Sequence, residues 1–170
     1  MKILIRIGAW CFILTAAFLI ITMQRAYTPA YYSFGTSNLQ PNSYDESDQL
    51  ILSPQKMQIS FSTTKQQKIS LYVLDGAAYA KWRENRTLTY MISIVNASTY
   101  YGVYDLPKRD TYTVLLYNPP NQTAVDTEIN ITLYGFETDL TIATVIIAAI
   151  GVIITILGRF FSFHNKNETS

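Results

Sequence analysis

The chain of 170 residues has one cysteine, Cys11, and one histidine, His164, and neither lies in its central part. Without a second cysteine the centre forms no disulfide and must hold together by its core alone. Without histidine or cysteine there, a Ser-His-Asp or Cys-His nucleophile cannot be assembled in it. A zinc site of the usual ligand types is excluded for the same reason. Charge is sparse too, at 15% of residues against about 25% for an ordinary soluble domain. The seven glycines are scattered, so no phosphate-cradling loop is present. The one acidic cluster, "DESD" at residues 45–48, lacks the spaced Asp/Asn/Gly pattern of a dedicated calcium loop and reads as solvated linker. Paired carboxylates for glycoside chemistry are not selected by any spacing. These absences point to a protein that is not an enzyme and needs no cofactor.

What the chain has instead is hydrocarbon at both ends. "IGAWCFILTAAFLIITM" (7–23) and "LTIATVIIAAIGVIITIL" (140–157) contain no charged residue. Each is long enough for a membrane-crossing helix, for which roughly 17–25 residues suffice. A helix is the form that satisfies its own backbone in lipid. The expected organisation is a cytoplasmic N-terminus (1–6), a first span (7–23), an extended linker (24–49) and a β-domain (50–139). A second span (140–158) and a cytoplasmic tail (159–170) follow. Lys2 and Arg6 before the first run also fit a secretory signal, but "MQRAY" offers no clean small-x-small cleavage site, which favours an uncleaved anchor. Lys2, Arg6, Arg159 and Lys166 flank the spans on one side, and Glu137 and Asp139 lie on the other. The positive-inside rule then puts both termini in the cytoplasm and the centre outside the cell membrane. Residues 24–139 carry nine Lys/Arg and eleven Asp/Glu, a net charge of −2 that suits no nucleic-acid surface. Asn-x-Ser/Thr acceptors begin at Asn85, Asn96, Asn121 and Asn130 in the outer part, with a fifth at Asn167 in the tail.

The outer part is strand-like. Residues 24–49 are rich in Tyr, Ser, Asn, Pro and Gln, with no helical period, and are expected to be linker with at most one short edge strand. From Leu50 apolar and polar residues alternate, in 57–63, 68–75, 88–95, 99–104, 111–118 and 127–136. In the last of these Ile129, Ile131 and Leu133 share one face, which sends Asn130 to solvent. Residues 75–85, "DGAAYAKWREN", are expected to form a short helix pinned to a sheet by Tyr79 and Trp82. The fold class expected is an antiparallel β-sandwich, all-β and jelly-roll-like, between two transmembrane helices.

All thirteen tyrosines lie between the apolar runs, so a tyrosine face that binds carbohydrate or protein is one reading. The other is that tyrosine simply forms strands well. The doublets Tyr31-Tyr32 and Tyr100-Tyr101 are the candidates for an exposed binding surface. In the second span Thr144, Ala148, Gly151, Thr155 and Gly158 recur at alternating steps of four and three, a stripe of small residues. Gly8, Cys11 and Thr15 are spaced similarly in the first, and Thr22 extends the stripe past the bulky Phe18. Such stripes let helix backbones approach closely in lipid, where hydrophobicity gives no drive. The partner could be the chain's own other helix or another membrane protein.

"ISLYVLDGAAYAKW", "DLPKRDTYTVLLYNP" and "INITLYGFETD" before a span together resemble the GOLD (Golgi dynamics) β-sandwich over roughly residues 57–135. The pre-peptidase C-terminal sandwich is a close lookalike. The resemblance implies an extracytoplasmic β-sandwich of the kind found in cargo receptors and in archaeal and bacterial surface proteins. Phe160-Phe161 just past the second span is similar to the double Phe with which cargo-receptor tails engage coats; an interfacial aromatic anchor beside Arg159 is the plainer reading. The chain departs from the family in lacking its disulfide, its coiled coil and a di-lysine tail. The function expected is a non-catalytic accessory or scaffold subunit, contacting the lipid bilayer and other membrane proteins. The alternative is a free-standing surface module that binds glycan, envelope or cargo.

Overall fold

The computed structural model describes residues 2–167, apart from the side chains of residues 2, 5, 65 and 161–167. It divides into two compact units, one of the chain's two ends and one of residues 29–134.

The central unit is all-β apart from one short helix. Its strands are β1 (Ala30–Leu39), β2 (Ser43–Glu46), β3 (Leu50–Leu52), β4 (Lys56–Thr63) and β5 (Ile69–Asp75). After the helix, which is α2 of the chain (Gly76–Asn85), come β6 (Ile92–Ala97), β7 (Thr99–Asp105), β8 (Asp110–Asn118) and β9 (Val125–Tyr134). Two antiparallel sheets form, β1-β9-β4-β7 and β2-β8-β5-β6, with β3 also on β8. The alternation in β4 and β9 is the cause of the first sheet's two faces. Met57, Ile59 and Phe61 turn inward with Ile129, Ile131 and Leu133. They meet Leu71, Val73, Ile94, Val114 and Leu116 of the second sheet in one buried cluster. Each such Leu, Ile or Val contributes about 1.5–3 kcal/mol by leaving water.

Residues 24–49 are not a linker. Eight residues of β1 pair with β9 from Ala30–Leu133 to Leu39–Val125, and β2 pairs along β8. Both are edge strands, wet enough that no clean apolar alternation is required of them. The β-unit therefore begins near residue 29 and ends near 134, rather than spanning 50–139. "DESD" begins inside β2, where Glu46 accepts from Tyr79 at 3.2 Å and Arg83 at 3.1 Å. The strand expected over 88–95 starts only at Ile92, because Arg86 ends α2 in the left-handed region (φ 59°) and residues 87–91 return the chain to β5. Asn118, fully buried, ties the sheets together: its Nδ2 donates to the carbonyls of Leu39 on β1 (2.8 Å) and of Thr123 (3.0 Å).

The second sheet is buried on both faces at its centre, along β5 and β8. Its outer side carries Leu74 and Leu115, covered by Ala78 and Trp82 of α2 in a second apolar cluster. Asp75 caps that helix by accepting from Ala78 N–H at 2.9 Å. Lys108 braces the cap, with its Nζ 3.2 Å from Asp75 and 2.6 Å from Asp110.

The other unit pairs the chain's two long helices, α1 (Lys2–Tyr27) and α3 (Thr138–Asn167). Both are long and apolar enough to cross a membrane. They overrun the expected spans of 7–23 and 140–158, and α3 takes in most of the expected tail, since no proline follows Gly158 to stop it. The helices lie antiparallel with their small residues inward. A Cβ at Gly151 would come within 2.9 Å of Cys11, and one at Gly8 would run into the Thr155 side chain. Thr15, Thr22, Thr144 and Thr155 each donate their hydroxyl to the carbonyl four residues back, at 2.7–2.8 Å. These four hydroxyls are thus paired within their own helices, as a bilayer would require of them. At one end Arg25 Nη1 reaches Glu137 Oε1 at 2.8 Å, and Glu137 is only 5% exposed.

Two predictions follow from these contacts. Replacing Gly151 with Leu should push the helices apart by a few ångströms, toward the ordinary 8–10 Å axis separation, while the β-unit stays folded. Spin labels at the exposed Ile13 and Ile146, in a Cys11→Ser background, would read that distance, and an unchanged value would mean the glycine contact is not the limiting one. The Asp75–Lys108–Asp110 brace should show in pH. The Ala78 N–H, helped by Lys108, holds the Asp75 carboxyl below its ordinary 3.8, and Lys108, helped by the Thr111 N–H, does so for Asp110. Both carboxyls are thus easier to keep ionised when folded, so their contribution is complete above about pH 4 and fades as acid titrates them. The two carboxylates raise Lys108, whose contribution is complete below 10.5 and fades in alkali. A melting curve against pH should fall on both sides, and Lys108→Met should flatten both limbs.

Candidate functional site

Successive strand side chains take opposite faces, so the two rings of each tyrosine doublet leave the strand on different sides. Tyr31 stands out from the first sheet at 75% exposure, while its neighbour Tyr32 pairs opposite the inward Ile131. Both line a cleft of about 340 Å³ together with Phe34, Asp48 and Leu50. Tyr101 is outward and 68% exposed, its hydroxyl donating to Gln58 at 3.1 Å. Tyr100 is not the exposed residue expected. It turns in against the core, its ring 6.0 Å from that of Phe61, and its hydroxyl bonds that of Tyr104. Burial, with that bond second, pushes the Tyr104 hydroxyl up to about 12.

The four Asn-x-Ser/Thr triplets of the central part begin at Asn85, Asn96, Asn121 and Asn130, all exposed. Asn130 sits mid-strand on the outer face of the first sheet, as the alternation of β9 requires. Asn85 closes α2, its Oδ1 accepting from Thr87 N–H at 2.9 Å. Asn96 lies at a bulge in β6 and Asn121 in the β8–β9 turn, both at positive φ. The fifth acceptor at Asn167, with Phe161 and His164, falls outside the residues whose side chains are described; Phe160 is exposed on α3. The stripe residues Gly8, Cys11, Thr15, Thr144, Ala148, Gly151, Thr155 and Gly158 are all at least half-buried. Among the described residues no three His, Cys, Asp or Glu side chains converge as metal ligands.

A larger groove, about 560 Å³, runs between the edge strand β2 and the end of α2. No local sequence pattern marks it, since residues 42–46 supply one wall and Trp82, Arg83 and Arg86 the other. Its aromatic centre is Tyr44, 46% exposed, stacked on Tyr117 with centroids 4.6 Å apart and edge-on to Trp82 at 6.0 Å. Burial and the neighbouring Tyr117 push the Tyr44 hydroxyl up, so it stays a neutral donor. Trp82 itself is 4% exposed and is covered by the Arg86 guanidinium, 4.6 Å above its ring. Two residues along β2 from Tyr44, Glu46 holds Arg83 and Tyr79. Asn42 accepts from the Tyr117 hydroxyl at 3.1 Å. An aromatic face flanked by planar donors and acceptors can stack on one side of a ring ligand and hydrogen-bond its rim.

No known family's model matches the chain, and no curated protein matches it. Solved structures to which the chain is similar include a periplasmic inhibitor of g-type lysozyme, PliG of Aeromonas hydrophila. It is 9% identical, with a TM-score of 0.42, over 62% of this chain and 85% of that one. Another is the pre-peptidase C-terminal domain of a Bacillus anthracis collagenase, 11% identical over 59% and 87%, with a TM-score of 0.45. A third is a disulfide-linked pilus of Bacillus endospore appendages, 11% identical over 64% and 88%, with a TM-score of 0.39.

Proposed function

We propose that the chain is a non-catalytic surface module, held in the cell membrane by its helix hairpin, whose extracytoplasmic β-sandwich binds saccharide of the cell envelope. The observation that carries this reading is the Tyr44 groove. Its exposed ring is flanked by Asn42, Asp45, Glu46, Arg83 and Arg86, side chains suited to the hydroxyl rim of a pyranose. Lys2, Arg6 and Arg159 at one end of the helices, against Glu137 and Asp139 at the other, support cytoplasmic termini and an outer sandwich. The four exposed acceptors support a glycosylated outer face. Kinship with the archaeal and bacterial GOLD-type surface proteins belongs to the same proposal, on the stretches that form β5, α2, β8 and β9.

The second reading is an accessory subunit that docks through the small-residue stripes and the sandwich. The two stripes are turned on each other, which leaves the sandwich to meet the partner. Two measurements on the full-length protein in mild detergent test the choice. On a native gel the protein should migrate without partners; a defined set of proteins at fixed ratio would favour the subunit reading instead. On immobilised envelope polysaccharide it should be retained, and Tyr44→Ala should weaken retention about fivefold to tenfold, the worth of about 1–1.5 kcal/mol of ring contact. Failure to bind any envelope saccharide would overturn the proposal.

A further inference from the structure

Resting on the saccharide reading above, we infer that the Tyr44 groove takes an acidic sugar, its carboxylate seated on the edge of the Arg86 guanidinium. Arg86 follows α2 directly, and its left-handed backbone (φ 59°) lets its N–H close the helix on the Trp82 carbonyl at 2.9 Å. The guanidinium carbon is thereby held over Trp82, 4.6 Å from the ring centroid. No carboxylate among the described residues pairs with its N–H groups, and their planar fork matches a carboxylate's two oxygens.

Among the described residues Arg25, Lys56, Arg83 and Lys108 are in ion pairs, and Arg86 forms none. Its neighbour Arg83 is held by Glu46, about 7 Å along β2 from Tyr44 at the strand's rise per residue. Trp82 meets Tyr44 while Arg83 meets Glu46, so the groove has a cationic end at Arg86 and a carboxylate toward the other. Asp45 also lines it, its carboxylate accepting from the Glu46 N–H at 3.0 Å. An anionic group is repelled from the Asp45–Glu46 end and drawn to Arg86. The Tyr44 ring offers its face to the sugar, and Asn42 an acceptor to a hydroxyl.

A purely structural Arg86 would cover Trp82 and complement the carbonyl end of α2, and a lysine would serve that purpose as well. The discriminating experiment titrates full-length protein in detergent micelles with trigalacturonate and with its methyl ester, by calorimetry. The acid should bind about tenfold or more tightly than the ester, since the ester keeps every hydroxyl and loses the charge-assisted pair. Arg86→Gln should bring the ratio to about one. Arg86→Lys, which keeps a cation over Trp82, should retain the melting temperature and lose most of the preference, so the result does not depend on the glutamine variant folding. Equal binding of acid and ester overturns the inference and leaves the saccharide reading intact. So does binding of neutral envelope oligosaccharides alone. Failure of every saccharide tried overturns both. An acid preference that survives in Arg86→Gln and Arg86→Lys places the anion elsewhere and also overturns the inference.

Discussion

Most of what distinguishes this β-sandwich depends on one contact, the burial of Leu74 and Leu115 beneath Ala78 and Trp82. A strand has two faces, and β5 and β8 bury both. The inner face joins the common core, and the outer would meet water if α2 did not lie across it. That cover sets the position of α2, and with it the position of every side chain on its final turn. Trp82 is the anchor, Arg83 reaches Glu46, and Arg86 folds back over the anchor. The groove is the gap left where a short helix ends beside an edge strand. Its polarity follows from which residues happen to stand at that end.

The helix pair obeys a different constraint. Were the pair to stand in lipid, no apolar surface would be gained by bringing the helices together, and closeness of backbone and satisfied polar groups would have to supply the attraction. Gly8 and Gly151 provide the closeness, and the four threonine hydroxyls are returned to their own helices. The large apolar side chains, Trp10, Phe12, Ile146 and Ile153 among them, stay on the outside, the reverse of a soluble hairpin.

Much of the fold was legible because its signals are local. The alternation in β4, β5 and β9, the Asp75 cap ahead of three alanines, and the small-residue period of α3 can each be read within a dozen residues. β1 and β2 were not legible. As edge strands they bury little on either face, so their serines, tyrosines and asparagines read as linker. The tyrosine doublets showed composition but not direction, and Tyr100 turned inward against Phe61. The stripes were readable, but not which partner they meet, because packing partners are a property of tertiary structure. The groove was invisible for the same reason: Tyr44 and Arg86 share no pattern in the chain and come together only through Trp82.

The register of β1 on β9 has a topological consequence. Ala30 pairs with Leu133, so the β-unit takes in its chain and gives it out at neighbouring points, about 5 Å apart. The helix pair is likewise drawn together at one end by Arg25 and Glu137, four or five residues from those points in sequence. Each unit closes its own ends without help from the other. The sandwich is in effect a guest in the loop of a helical hairpin, connected like an inserted domain. A different guest with adjacent termini would fit the same two points of the chain, and the same sandwich would fit another host that offers them.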